Sequence, residues 1–295
     1  MKQVKLGKTD IKVSVLGIGM GTAHPSGRFT QELMDIKELA NLLIFAFDKG
    51  INFWDTAFQY KTYPHIKEAL KHVNRSDIVL TTKLTTSDEE NTMRDFQASL
   101  KELNIDYFDI CLLHGVRTAT EFRRRTGAFD ALLRLKNQGK IRAVGISTHG
   151  LSALKSVSET PEVDVVWSRI NYAGIYMDTY SLGLYDRLAT IPCLKKIVKI
   201  LPNKIKAALT PKPESQRLSQ NNQKEVEHIL TKIHSQSKGV VGMKVLVEGY
   251  LRQNVKNAIE YVKNLTFVDA FIIGMMNQKE VEENCRILSG IQLNK

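Results

Sequence analysis

Short apolar runs alternate with amphipathic stretches along most of this chain. Apolar runs bounded by polar or turn-forming residues indicate buried strands, whereas apolar residues spaced three or four apart indicate helices. Eight strands are predicted on this basis: Val15–Gly19, Ile51–Trp54, Ile78–Lys83, Phe108–His114, Ile141–Ser147, Val163–Asn171, Val240–Val245 and Ala270–Gly274.

Amphipathic stretches with helical spacing fill the gaps between these strands. The predicted helices are Glu32–Lys49, His65–Lys71, Thr92–Leu103, Ala128–Asn137, Leu151–Val157, Glu225–His234, Asn254–Val262 and Lys279–Leu288. Repeated strand–helix units without a break in composition predict one α/β domain over residues 1–295, a (β/α)8 or TIM barrel. A doubly wound sheet is the alternative, but Gly17, Gly19 and Gly21 do not have the Gly-x-Gly-x-x-Gly spacing of its phosphate-binding turn.

Two segments fall outside the repeating unit. Alternating residues around the turn Gly7–Asp10 predict an N-terminal β-hairpin. A long insertion, about residues 173–222, follows the sixth strand and therefore leaves the barrel at its carboxyl-terminal face. Its apolar stripe of Leu194, Ile197, Val198 and Leu201 predicts a helical excursion on the barrel rim, with a mobile lid or a partner-docking surface as alternatives.

Charge and composition narrow the classes of function. The net charge is +11, and the stretch 187–217 holds eight basic residues against one acid. That stretch has no aromatic residue for stacking on bases, so we expect a solvated face and no nucleic-acid partner.

No apolar run reaches the ~18 residues of a membrane span, and the N-terminus lacks the apolar core of a signal peptide. Cys111, Cys193 and Cys285 are widely spaced, as expected of reduced thiols in a cytoplasmic protein without a cysteine metal site.

Polar residues end three consecutive predicted strands. Asp55 follows the strand Ile51–Trp54, Tyr60 comes five residues later, Lys83 ends the third strand and His114 ends the fourth. On a barrel these residues meet at the carboxyl-terminal face. An ammonium beside a phenol favours phenolate and lowers the phenol pKa, and a carboxylate keeps that ammonium charged. With a histidine to hydrogen-bond the substrate oxygen, the four residues predict a general-acid site for a carbonyl becoming an alkoxide, with a cofactor as hydride source.

The sequence resembles the aldo-keto reductase family nearly from end to end. Six segments carry the resemblance, in order: Leu6–Thr9 with Val15–Gly19, Gly50–Ala57 with Tyr60, Thr82–Lys83, Leu112–His114, Gly139–Ser147, and Gly274 with Glu283–Asn284. The resemblance implies a (β/α)8 barrel that binds NAD(P)H across its mouth and reduces aldehydes or ketones. It also implies Tyr60 as the proton donor, Lys83 and Asp55 as the pair that tunes it, and His114 as the substrate-orienting donor.

The resemblance further implies a set of cofactor contacts. These are expected at Gly21, Thr22, Ser147, Thr148, Asn171, Met243, Lys244, Gly274, Met275, Glu280, Glu283 and Asn284. Several of them depart from the family pattern: Thr148 replaces an asparagine, Met243 replaces a stacking tyrosine, and Trp167 replaces a glutamine. Glu280 stands where a basic residue commonly binds the 2′-phosphate. NADPH remains the expected cofactor, with Lys279 or Arg286 as substitute cations, and NADH is the alternative.

Two classes of function follow. The first is a cytoplasmic carbonyl reductase acting on a small-molecule substrate, which the intact set of four residues favours. The second is a nicotinamide-cofactor-binding regulatory or scaffold protein with weak or no turnover, which the altered nicotinamide contacts and the basic insertion favour. Neither the carbonyl substrate nor the oligomeric state can be predicted from these motifs.

Overall fold

Eight parallel strands close into a barrel in the computed structural model of this chain, which describes residues 1–24, 26–175, 177–178, 202, 205 and 220–290. A two-stranded antiparallel hairpin precedes the barrel. Within the described residues the strands are β1 (Gln3–Lys5), β2 (Lys12–Ser14), β3 (Leu16–Gly19), β4 (Phe53–Asp55), β5 (Val79–Leu84), β6 (Phe108–Val116), β7 (Ile141–Thr148), β8 (Val165–Arg169), β9 (Gly239–Met243) and β10 (Ala270–Gly274). The barrel runs in chain order from β3 to β10, and β10 pairs with β3 to close it. The predicted (β/α)8 barrel with an N-terminal hairpin is confirmed.

Helices surround the barrel and connect its strands. Those described are α1 (Thr30–Leu33), α2 (Ile36–Asp48), α3 (Tyr63–Ala69), α4 (Glu89–Leu103), α5 (Ala119–Arg124), α6 (Thr126–Asn137), α7 (Leu151–Glu159), α8 (Gln220–Ser235), α9 (Val255–Lys263) and α10 (Gln278–Ser289). The pattern of apolar positions missed α1 and α5, because each is too short for a repeating apolar stripe. The start of α5 is marked by Thr118, which caps the helix by accepting a hydrogen bond from the backbone of Glu121 at 3.0 Å.

The hairpin closes the amino-terminal end of the barrel. Leu6, Ile11 and Val13 are fully buried and belong to the same apolar cluster as Phe53 and Trp167 inside the barrel. Because the strands are parallel and that end is covered, the carboxyl-terminal end is the one left for a ligand.

The helix α2 shows how the local sequence builds the outer layer. Asp35 accepts hydrogen bonds from Lys37 and Glu38 and so caps the first turn. The helix ends before Gly50, which has φ +84°, a left-handed conformation that glycine adopts without steric cost. Gly50 turns the chain directly into β4, whose last residue, Asp55, carries the first side chain of the candidate site.

The insertion after the sixth barrel strand lies mostly beyond the described part of the chain. The chain between β8 and α8 is described at 170–175, 177–178, 202 and 205, so the predicted stripe of Leu194, Ile197, Val198 and Leu201 lies outside the described residues. Among the helices of the described ranges, none has both the length and the apolar character needed to cross a bilayer.

Candidate active site

Four side chains, predicted from three strand ends and one following loop, meet at the carboxyl-terminal mouth of the barrel. Asp55 ends β4, Lys83 lies in β5 and His114 lies in β6, whereas Tyr60 ends a 3₁₀ turn, Phe58–Tyr60. The register of the sheet brings the first two strands together, because Asp55 pairs with Thr81 of β5. Polar residues far apart in sequence thus share one small volume.

Asp55 and Lys83 form a buried ion pair. Lys83 Nζ donates to Asp55 Oδ2 at 2.7 Å and to the backbone oxygen of Thr56 at 2.7 Å. Burial raises the pKa of Asp55 and lowers the pKa of Lys83, and the attraction between the two charges opposes both shifts. Trp167 donates to the second carboxylate oxygen, Oδ1, at 3.0 Å. The carboxylate is therefore held on both oxygens.

Tyr60 is closely packed on several sides by side chains and backbone. The Phe29 ring is 4.5 Å away, centroid to centroid, and Lys83 Nζ lies 5.1 Å from the centre of the phenol ring. A Cβ on Gly21 would come within 2.3 Å of ring carbons of Tyr60, so only glycine leaves room for the phenol there. Gly21, predicted as a cofactor contact, therefore also determines where Tyr60 lies.

The environment of Tyr60 raises the pKa of its phenol. Burial is the main cause, and the carboxylates of Asp55 and Glu248 add to it. The expectation from sequence was the opposite direction, with Lys83 lowering this pKa. That expectation is wrong for the structure described, since Lys83 faces the ring and pairs with Asp55, and desolvation of a phenolate outweighs a cation in that position. Tyr60 therefore holds its proton at neutral pH.

His114 is neutral and contacts Tyr60. Its Nε2 lies 3.4 Å from the Tyr60 hydroxyl, and its Nδ1 lies 3.0 Å from Gln59 Oε1. Burial, together with the positive charges of Lys83, Arg125 and Lys244, lowers the pKa of His114 to about 3. The imidazole thus acts here as a hydrogen-bonding group and carries no charge at neutral pH.

A cavity of about 380 Å³ begins at these residues and runs past the ends of β9 and β10 to α10. Its volume is in the range of small-molecule sites, about 300–1,000 Å³. Asp55, Tyr60 and Lys83 line one end. Eight of the predicted cofactor residues line it as well: Gly21, Thr22, Met243, Lys244, Gly274, Glu280, Glu283 and Asn284.

Four other predicted cofactor residues are not brought to this cavity. The Ser147 hydroxyl accepts a hydrogen bond from the backbone of Gly115, and Thr148 bonds to the backbone of Gly150. Both polar ends of the Asn171 side chain bond to the backbone of Ile175, at 2.8 and 3.1 Å. Met275 lies fully buried in the apolar layer between barrel and helices. In the structure described, these side chains serve the local fold, and their roles toward a cofactor remain predictions.

Glu280 lies at the amino-terminal end of α10, the far end of the cavity. Asn277 caps this helix by accepting from Glu280 N at 3.0 Å, and Glu280 Oε2 accepts from the backbone of Met276 at 2.8 Å. A helix amino terminus attracts anions. The Glu280 carboxylate already takes that place.

The substitute cations considered from sequence do not line this cavity. Lys279 is exposed on α10, and Arg286 lines a different cavity beside Met1 and Lys49. The cation that sequence reasoning missed is Arg252, which lines the mouth cavity from the segment after β9.

The segment after β9 also carries a cluster of charged residues. Glu248 bonds to Lys244 at 3.2 Å and to Arg169 at 3.3 Å. Lys244, Val247 and Glu248 all have positive φ, at 56°, 48° and 54°, a conformation that costs free energy for residues other than glycine. The spacing of four between Lys244 and Glu248 is a sequence signal for the pair, but nothing in it indicates the left-handed backbone.

Comparisons with known proteins identify the family and the fold. The chain matches the model of the Aldo/keto reductase family over residues 17–295. It is 26% identical over 207 residues to the NADH-specific methylglyoxal reductase of Escherichia coli K12, covering 62% of this chain and 63% of that protein. It is 26% identical over 302 residues to the L-galactose dehydrogenase of Arabidopsis thaliana, covering 97% of this chain and 88% of that protein. The holo form of the aldo-keto reductase AKR11C1 from Bacillus halodurans superimposes with a TM-score of 0.67 at 18% identity, covering all of this chain and 93% of that one, a likeness of fold.

Proposed function

This chain belongs to the aldo-keto reductase family, and from that premise we propose that it reduces a small aldehyde or ketone to an alcohol with a nicotinamide cofactor. The observation that carries the proposal is that Tyr60 and the Asp55–Lys83 pair meet at one end of a ligand-sized cavity, with His114 3.4 Å from the Tyr60 hydroxyl. A site with those groups supplies a proton and hydrogen bonds to a carbonyl oxygen that gains negative charge.

Tyr60 supplies the proton in this proposal. When bound, the reduced nicotinamide supplies the hydride that forms the new C–H bond at the carbonyl carbon. The C=O π electrons move to oxygen, and the Tyr60 O–H bond breaks to give that oxygen its proton. Because burial keeps Tyr60 protonated at neutral pH, the acid is present in the correct form before reaction. Lys83 balances the phenolate that is left, and Asp55 keeps Lys83 in place.

The residues of the cavity fit an extended dinucleotide. Gly274 approaches Thr22 so closely that a Cβ there would lie 2.2 Å from its Oγ1, so the cavity is a groove whose wall at the paired ends of β3 and β10 is made of backbone and small side chains. Lys244 and Arg252 are cations along this groove, suited to phosphate oxygens. Glu280 and Glu283 line its far end and repel a further phosphate, whereas a carboxylate accepts hydrogen bonds from a free ribose hydroxyl. We therefore favour NADH over the NADPH expected from the family resemblance.

The test is oxidation of NADH and NADPH, followed by absorbance, with a panel of small aldehydes and ketones that includes methylglyoxal. Tyr60→Phe should lower kcat about 10²-fold or more while cofactor affinity stays within a factor of about two. Tyr63→Phe is the matched control. It removes a buried hydroxyl that bonds to Thr82 and Ser99 away from the mouth, so it should cost stability and leave kcat unchanged. Normal turnover by Tyr60→Phe would refute Tyr60 as the acid.

A binding protein with little turnover is the second candidate. The observation that favours it is the internal use of Asn171, Ser147 and Thr148, which leaves fewer polar groups to orient a nicotinamide. Fluorescence titration separates the two functions. If the protein binds NADH tightly but no aldehyde or ketone of the panel leads to NADH oxidation, the second candidate is supported and the first is contradicted.

A further inference from the structure

Gln59 lies directly behind the imidazole of His114. It is the middle residue of the turn Phe58–Tyr60, so its neighbour in sequence is the proposed acid, Tyr60. Its side-chain carboxamide reaches His114 Nδ1 at 3.0 Å, on the side of the ring opposite Nε2, which contacts Tyr60. One carboxamide and one phenol therefore contact the two nitrogens of the same ring.

A neutral imidazole has a single N–H, so these two contacts depend on each other. If the Gln59 oxygen faces Nδ1, the proton is on Nδ1, and Nε2 accepts a hydrogen bond from the Tyr60 hydroxyl. If the Gln59 amide nitrogen faces Nδ1, it donates to Nδ1, and the proton is on Nε2, which then donates. The two ends of a carboxamide have nearly the same shape, so both arrangements occupy the same space.

Hydrogen-bond satisfaction distinguishes the two arrangements. With the oxygen toward His114, Gln59 Nε2 is buried and has no hydrogen-bond partner among the described residues, which leaves both of its N–H donors unpaired. A buried donor without a partner is destabilising, because the hydrogen bond that it made to water in the unfolded chain is not replaced. Rotating the amide pairs one of those donors with Nδ1 and moves the carbonyl oxygen to the buried position. Unpaired carbonyl oxygens are tolerated more often than unpaired N–H groups.

The chemistry of reduction needs the same arrangement. A carbonyl oxygen at the mouth of the barrel gains charge during reaction and is stabilised by hydrogen-bond donors. With the proton on Nε2, His114 and Tyr60 both donate to that oxygen. With the proton on Nδ1, Nε2 holds the Tyr60 hydroxyl in an unproductive bond and offers no donor of its own.

We propose that Gln59 is a positioning residue that donates its amide N–H to His114 Nδ1 and so keeps the imidazole proton on Nε2, directed at the substrate oxygen. The inference rests on the proposed carbonyl reduction for its purpose, but the tautomer itself is a property of the protein without substrate. A spectroscopic test therefore separates the failure of one from the failure of the other.

The direct test is two-bond ¹H–¹⁵N correlation NMR of the full-length protein labelled in histidine at pH 7. This spectrum distinguishes protonated from unprotonated ring nitrogens, and the signals of His114 are the ones missing from a His114→Gln variant. We expect an unprotonated Nδ1 and a protonated Nε2. A protonated Nδ1 with an unprotonated Nε2 would overturn the proposal, whether or not the chain proves to be a reductase.

Variants of Gln59 test whether this residue sets the tautomer of His114. When ionised, the side chain of Gln59→Glu presents oxygens that only accept, so we expect the His114 proton on Nδ1 and kcat lower by about 10²-fold. Gln59→Leu removes both ends of the amide, and we expect a mixture of the two tautomers with a smaller loss of kcat. Gln138→Glu makes the same chemical change at an exposed position after α6, and should alter neither spectrum nor rate. A wild-type His114 spectrum in Gln59→Glu would show that Gln59 does not set the tautomer.

Discussion

The indole nitrogen of Trp167 donates a hydrogen bond of 3.0 Å to Asp55 Oδ1 across the barrel interior, between residues 112 positions apart in sequence. Lys83 holds the other oxygen of the same carboxylate at 2.7 Å. Asp55 is thus fixed by one charged and one neutral donor, both buried. From the sequence, Trp167 is only a departure from the family pattern at a cofactor contact, whereas in the structure it supports the candidate catalytic ion pair.

Replacing Trp167 by phenylalanine should destabilise the protein by about 1.5–3 kcal/mol through this bond, the range for a hydrogen bond to a charged group. The edge-to-face contact with Phe53, at 5.8 Å, is largely retained in the variant. The measurement is the free energy of unfolding in urea. Trp54→Phe is the control, because its indole donates only to the neutral backbone oxygen of Ile51, at 3.3 Å. Equal losses in the two variants would contradict a special role for the Trp167 bond.

Removing one charge of the Asp55–Lys83 pair should lower the free energy of unfolding more than removing both charges. Lys83→Met leaves Asp55 buried without its counter-charge, and we expect a loss of about 3–5 kcal/mol in the free energy of unfolding. The double variant Asp55→Asn, Lys83→Met should regain a large part of that loss, because no unpaired charge remains. The two single variants and the double variant form a thermodynamic cycle, and purely additive effects would show that the charges are not coupled.

The partly buried His114 should make the protein less stable in acid. Its pKa is about 3 when folded and about 6.5 when unfolded, so between these pH values the unfolded chain binds a proton that the folded chain does not. The free energy of unfolding therefore falls as pH falls from about 6.5 toward 3, by at most about 1.4 kcal/mol per pH unit from this residue. Unfolding measured at several pH values should show a smaller slope in His114→Gln than in the wild type. Identical slopes would mean that the pKa of His114 does not differ between the folded and unfolded states.

Adding one methyl group at Gly21 should remove activity without unfolding the protein. The new Cβ would lie 2.3 Å from the Tyr60 ring, so the phenol must move. A displacement near 1 Å at a reacting group can cost about 10²-fold in rate, and we expect a loss of that order in kcat. Gly127→Ala is the control, because the new Cβ in α6 would have its nearest neighbours at 3.8 Å and should be tolerated. Full activity of Gly21→Ala would show that the position of Tyr60 is not critical.

Neutralising Glu280 should shift cofactor preference toward NADPH. Glu280→Gln removes a negative charge beside the proposed ribose site, and we expect the ratio of the NADPH Kd to the NADH Kd to fall about tenfold, equivalent to 1.4 kcal/mol. Fluorescence titration with both cofactors measures this ratio. Glu282→Gln makes the same change two residues further along α10, where Glu282 pairs with Lys49 at 3.2 Å outside the cavity, and should leave the ratio unchanged. If both variants behave alike, Glu280 does not discriminate between the cofactors.

The fold and the four residues of the candidate site could be predicted from the sequence because their signals are local. Alternation of apolar runs and helical stripes specifies strand and helix within a few residues, and the repeated unit then implies a closed parallel barrel. In such a barrel the carboxyl-terminal ends of all strands lie at the same face. Asp55, Lys83 and His114 were therefore expected to meet once the strands were identified.

Other properties of the site could not be predicted, because they depend on contacts between segments whose sequences give no sign that they lie close together. The Trp167–Asp55 bond joins opposite sides of the barrel, and the contact of Gln59 with His114 depends on how one turn folds over another strand. The direction of the Tyr60 pKa shift is likewise a sum over all surrounding groups, and burial outweighed the lysine predicted to control it. Periodicity and strand ends specify which groups come to the mouth of the barrel, whereas their protonation and partners follow from three-dimensional packing, because desolvation and hydrogen bonding act over a few ångströms in space regardless of separation along the chain.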